Sequence, residues 1–181
     1  MKKLIIFSVF PFFIACNSGE SKDAAANSTK TGSTQALTYS SPIRYSSQFE
    51  IGDNKNAQVI LDLWKDFDDN TIDKSKAVFA DTVTMLFSGM ESYGSIDSMM
   101  AATKAYRNSF KTVKSRVDAI SPINSIDRNE DWVVVWGTEV HTDMNDKVDS
   151  MHLQETWRFN KAGKVDMLMQ YQRMPPAIAK K

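Results

Sequence analysis

The sequence predicts an α+β domain with helices packed on one side of an antiparallel sheet. Two observations carry that prediction. In the first half, Ala57, Ile60, Leu61, Trp64 and Phe67 recur at helical spacing. In the second half, from Trp132 onward, β-branched and aromatic runs are divided by short polar turns. The order is helices, a strand, another helix, then a run of strands.

Each element has its own signal. Asp53 and Asn54 stand where caps for the first helix are needed, and Asp73 can cap a short second helix carrying Ala77, Val78 and Phe79. Residues 82–87 are β-branched and apolar, as a strand requires. Ser95 is a strong N-cap for a third helix, whose apolar face reads Ile96, Met99, Met100, Thr103, Tyr106 and Phe110. Val113, Ser115, Val117 and Ala119 then alternate with polar residues. Residues 132–142, 148–159 and 164–173 supply the last strands, with turns at 143–146 and 160–163. Pro175-Pro176 ends the run.

The first residues have a different texture. Lys2 and Lys3 precede a nearly all-apolar run from Leu4 to Ala15, the pattern of a cleavable secretory signal over residues 1–15. That run is too short for a permanent membrane span, which needs about 20 residues. Phe13-Ile14-Ala15-Cys16 resembles the bacterial lipobox, with Phe13 where leucine is commonest. The resemblance implies cleavage before Cys16, lipid attachment to it, and a stable membrane anchor through more than one acyl chain. Cys16 is the only cysteine, so the fold is expected to stand without disulfides. Asn17 is not the aspartate that resembles an inner-membrane retention signal, which points to the outer membrane and leaves the side it faces open. Residues 16–50, rich in Ser, Thr, Asn, Ala and Lys, read as the lipidated cysteine and a flexible tether. The domain is drawn at 51–176 and a tail at 177–181.

The full chain has 22 basic and 22 acidic side chains, and losing Lys2 and Lys3 with the signal leaves 20 against 22, a net of −2. Such a balance gives no electrostatic footprint for nucleic acid. There is no Gly-x-Ser-x-Gly elbow and no phosphate-cradling glycine loop. No cofactor is implied.

Three segments, in their order, resemble the NTF2-like superfamily and within it the SnoaL-like and ketosteroid-isomerase-like branch. They are Phe79-Ala80-Asp81-Thr82-Val83 at the first strand, Tyr93-Gly94-Ser95-Ile96 at the third helix, and the run from Glu155-Thr156-Trp157-Arg158-Phe159 through Gly163-Lys164-Val165 at the last hairpin. The resemblance spans about residues 56–173. It implies a cone: a curved antiparallel sheet wrapped around three helices, with an apolar pocket at the open end and, in many members, dimerisation through the sheet.

The resemblance also lets the isomerase machinery be tested residue by residue. Glu155 falls where those enzymes hold a buried acid. The base position falls near Met85 or Leu86, and the tyrosine position near Leu63 or Trp64, none of which can fill the role. Glu155 is thus the only candidate catalytic residue, with a solvent-facing glutamate paired to Arg158 or Lys164 as the alternative. Trp136, Thr138 and Val140 share one strand face, and Leu153, Glu155 and Trp157 share another. If the hairpin brings those faces together, they line the pocket with Trp64, Leu168 and Gln170, and Glu139, His141, His152 and Gln154 fall on the convex side. Two histidines and Glu139 could suit a metal, but their polar neighbours favour a solvated face or a dimer contact, and no metal is expected. Val165, Met167, Met169 and Tyr171 form an apolar face opposite Leu168, which implies either a second subunit or burial of both sides by curvature; a homodimer is the expectation.

The expected function is binding of a small apolar ligand or of a partner protein. The alternatives are a SnoaL-like acid–base enzyme of isomerase, cyclase or hydratase type using Glu155, and a cone plugged by side chains that acts only through its surface.

Overall fold

The computed structural model describes residues 37–173. Its elements are β1 (Phe49–Ile51), α1 (Asn54–Asp68), a 3-10 helix (Ile72–Val78), β2 (Phe79–Phe87), β3 (Met90–Ser95), α2 (Ile96–Arg107), β4 (Phe110–Ser125), β5 (Glu130–Asp143), β6 (Val148–Phe159) and β7 (Val165–Arg173). The strands form one curved, unclosed sheet in the order β1-β4-β5-β6-β7-β2-β3. All neighbours are antiparallel except β2 and β7, so the sheet is mixed rather than purely antiparallel.

Both α-helices begin as the caps require. The Asp53 carboxylate accepts from the Lys55 N–H at 2.8 Å, and the Ser95 hydroxyl accepts from the Ser98 N–H at 3.3 Å. α1 buries Ala57, Ile60, Leu63 and Trp64, one stripe at helical spacing, against the concave side of the sheet. Its C-terminal end is held by Arg107, whose guanidinium donates to the carbonyls of Phe67 and Asp68. A cation at the carbonyl end of a helix is favourable on charge grounds as well. Asp68 in turn accepts from the backbone and hydroxyl of Ser115, tying α1 to β4.

Curvature comes from irregular pairing. β4 bonds to β5 over sixteen residues with shifts of register at Phe110/Thr112 and Val117/Ala119, and such bulges bend a strand toward one face. The concave face of β5 and β6 carries Val133, Val135, Leu153, Trp157 and Phe159, which with α1, α2 and β2 make the core.

Several boundaries differ from those read in the sequence. The second helix is a 3-10 turn, and Phe79 opens β2 instead of closing that helix. Phe110 likewise opens β4, because α2 stops at Arg107. Two short strands had no sequence signal: β3 is polar and contains Gly94, and β1 is a three-residue edge. Folded contacts also begin before residue 51, since Tyr45 packs edge-on against Trp132 at 5.5 Å and β1 pairs with β4. Cys16, the signal and tether through residue 36, the last residues of the domain from 174 and the tail at 177–181 lie outside the described residues.

Candidate functional site

The concave side of the sheet and the two α-helices enclose a cavity of about 580 Å³, a size that suits a small organic molecule. The cone is therefore not plugged. Most of its wall is apolar, built from Phe, Met, Leu and Trp side chains of α1, α2, β2, β6 and β7.

Glu155 sits in that wall, 4% exposed. Its Oε2 accepts from the indole N–H of Trp64 at 2.7 Å and of Trp157 at 3.0 Å, and its Oε1 accepts from the Gln170 amide at 2.7 Å. Three elements thus meet on one carboxyl group: α1, β6 and β7. Burial pushes the Glu155 carboxyl above the usual range, opposed by the three donated hydrogen bonds. Arg158 does not pair with Glu155; it pairs with Asp166 at 2.8 Å on the other face.

Trp64 reaches this carboxyl only because Gly137 lies beneath it. A Cβ at Gly137 would stand 2.7 Å from the Trp64 ring and 2.5 Å from the Arg116 carbonyl oxygen. The missing side chain is what lets the indole lie against the sheet.

A second carboxyl group borders the same cavity. Glu139 on β5 is 6% exposed, and its Oε1 has no hydrogen-bond partner. His141 Nδ1 lies 3.6 Å away, too long for a hydrogen bond, and is also without a partner. Burial pushes Glu139 up to about 7, aided by the charges of Glu155 and Asp68 and opposed by Arg107. Tyr106 of α2 also borders the cavity, and its phenol is raised by burial and by Glu139.

The cavity wall thus contains Trp64, Leu153, Glu155, Trp157, Leu168 and Gln170. Trp136, Thr138 and Val140 are instead on the outer face, and Glu139 and His141 are inside, which reverses the sequence reading of β5. Register is the reason. In the observed pairing Val135 opposes Glu155 and Gly137 opposes Leu153. The connecting loop is three residues, closed by the Asp143 N–H to the Lys147 carbonyl, with Asp146 at φ 64°. A four-residue turn over 143–146 would have paired Trp136 with Leu153. A shift of one residue exchanges the two faces of a strand.

Trp136 and Val140 are accordingly 42% and 39% exposed. Thr138 bonds to His152 Nδ1 at 3.1 Å, so His152 is on the convex face as expected while His141 and Glu139 are not. The three potential ligands of a metal therefore do not converge, and no cluster of three such groups occurs among the described residues. Glu139, Tyr106 and Ser115 are among the cavity residues that sequence reasoning missed. The signal that could have found Glu139 was Gly137: two residues away on the same face, a glycine inside a strand marks a close approach by something large.

No protein-family model matches the sequence, and no curated protein does. Solved structures do match in shape. An NTF2-like protein of unknown function from Exiguobacterium sp. 255-15 superposes with a TM-score of 0.53 at 18% identity, over 65% of this chain and 98% of that one. A SnoaL-like protein of Shewanella denitrificans OS-217, read as a polyketide cyclase, gives 0.54 at 9% identity over 67% and 92%. An LEH-like epoxide hydrolase of M. tuberculosis gives 0.54 at 8% over 66% and 84%. At these identities the likeness concerns the fold, and the fold of this chain is the NTF2-like cone.

Proposed function

We propose that this NTF2-like cone holds a small, mostly apolar molecule in its cavity, with Glu139 as its polar contact. The observation that carries the reading is a buried carboxyl group in the wall of an apolar cavity, with no hydrogen-bond donor to it among the described residues. An unpaired buried polar atom costs about 1–3 kcal/mol, and a ligand that hydrogen-bonds to it recovers that cost. The test is binding of the neutral fluorescent probe N-phenyl-1-naphthylamine. Micromolar binding is expected, with a loss of about tenfold in Ala102→Trp, which places a large side chain at the cavity wall. Absence of binding to the unaltered protein would end the small-molecule reading.

A second reading is favoured by one observation: two buried carboxyl groups share the cavity, and one of them titrates near neutral pH. A group with its midpoint near the working pH is suited to general acid–base chemistry. In this reading Glu139 moves the proton and Glu155 holds Trp64, Trp157 and Gln170 in place. Glu139→Gln would then abolish turnover of a bound carbonyl or epoxide substrate while leaving binding of the neutral probe intact.

The lipobox-like segment ending in Cys16 supports a lipid-anchored protein of the bacterial outer membrane. A Cys16→Ser chain is expected to leave the membrane fraction; one that remained there would remove the anchor. The outer face of β5, β6 and β7, with exposed Trp136 and Tyr171, supports pairing with a second copy of the chain.

A further inference from the structure

The charge of the cavity is one-sided. Two glutamates border it, and no lysine, arginine or histidine does among the described residues. The Glu155 carboxyl is satisfied by three N–H donors. Glu139 has no such relief, although its side chain is only 8% exposed. α1 presents Asp68 and β6 presents Glu155, both negative. α2 presents the Tyr106 phenol and Arg107, whose guanidinium bonds to the carbonyls of Phe67, Asp68 and Phe110 and whose charge only partly offsets the burial of Glu139. His141, on the strand of Glu139 itself, has Nδ1 3.6 Å from Glu139 Oε1, too long for a hydrogen bond but within ion-pair range if the ring is protonated, and it does not border the cavity.

A buried carboxylate in this position is unfavourable until a positive charge arrives. The walls suit a cation on an apolar body. Indole and phenol faces attract cations, and Trp64, Trp157 and Tyr106 all border the space. The thioethers of Met85, Met99, Met100 and Met151 add polarisable, adaptable surface for the rest of the molecule.

We infer that the ligand is a lipophilic amine, bound as its ammonium ion with the charge at Glu139 and the apolar body among the methionines and indoles. This deepens the small-molecule reading above and rests on it. It also fixes a direction with pH. Binding strengthens as pH rises through about 7, where Glu139 gives up its proton while an alkylammonium keeps its own.

The test is a matched pair of probes, 1-naphthylmethylamine and 1-naphthalenemethanol, titrated calorimetrically into the full chain. Near pH 8 the amine is expected to bind at least about tenfold more tightly than the alcohol, a modest yield for a desolvated charge pair. The preference should shrink toward unity near pH 5.5 and in Glu139→Gln. Equal affinities near pH 8 would overturn the amine assignment and leave the apolar pocket standing. Failure of both probes to bind would overturn the pocket itself. The pH arm uses the unaltered protein, so it decides the matter even if Glu139→Gln folds poorly.

Discussion

Glu155 and Glu139 are buried to nearly the same extent in the wall of one cavity, and their surroundings could hardly differ more. Glu155 is enclosed by two indoles and an amide that all donate to it; Glu139 has an oxygen with no partner at all. Burial alone therefore does not assign a role to a carboxyl group. The first is built into the fold, since removing it would strand three donors. The second has no protein donor and borders the cavity, where an entering molecule can meet its carboxyl group.

The largest effect should come from the supported end. Glu155→Ala leaves Trp64, Trp157 and Gln170 without their acceptor, and a loss of about 3–5 kcal/mol is expected in urea unfolding. A loss below about 1 kcal/mol would mean that those donors find water, and the contrast with Glu139 would weaken.

Glu139 should leave its mark on pH dependence. Its folded value of about 7 lies above the ordinary 4.5, so between those limits the folded state binds more protons than the unfolded one. Its contribution to stability is therefore greatest at low pH and declines as pH rises through 7, by roughly 3 kcal/mol in total. Glu139→Gln removes that slope. Unfolding curves of the two proteins measured from acid to mildly alkaline pH should separate in the variant's favour above neutrality, and parallel curves would show that Glu139 is not buried as described.

A smaller effect tests how the two regions are joined. Gly137→Ala forces a methyl group into the Trp64 ring and the Arg116 carbonyl, at an expected cost of about 1–3 kcal/mol. Displacing Trp64 should also weaken its bond to Glu155, visible as a shift in tryptophan fluorescence. The smallest effect belongs to the outer face: Trp136→Ala should change monomer stability by no more than about 0.5 kcal/mol. Its readout is molar mass by light scattering, where a shift from dimer to monomer is expected.

Much of the architecture was legible because strong local signals agreed with one another. The last hairpin is an example: Gly163 at φ 70° and Asn160, whose side chain accepts from the backbone of Ala162 and Lys164, fix a short turn at the place where the sequence puts one. That turn sets the register of β6 against β7, and so Glu155, Trp157, Leu168 and Gln170 were assigned to one face correctly. The preceding hairpin was harder. Met144-Asn145-Asp146 closes as a three-residue loop, with Asp143 accepting from the Asn145 and Lys147 N–H groups, and nothing in its composition separates it from a four-residue turn. One residue of ambiguity there exchanged Trp136, Thr138 and Val140 for Gly137, Glu139 and His141. Trp136 and Val140 are apolar and yet face outward, and Trp132 shares their side of the strand. Trp132 is indeed covered, but by Tyr45 arriving from the N-terminal side on the outer face. Tyr106 belongs by spacing to an apolar helix face, a pattern that does not register its hydroxyl.

The account turns on Glu139 being a buried acid without a hydrogen-bond donor in the wall of an apolar cavity, and titration of its side-chain carbon by NMR in the ligand-free protein tests this most directly. A midpoint near 7 is predicted. A midpoint at the ordinary 4.5 would mean that water or a protein donor already serves this oxygen, and the case for a ligand waiting to meet it would be lost.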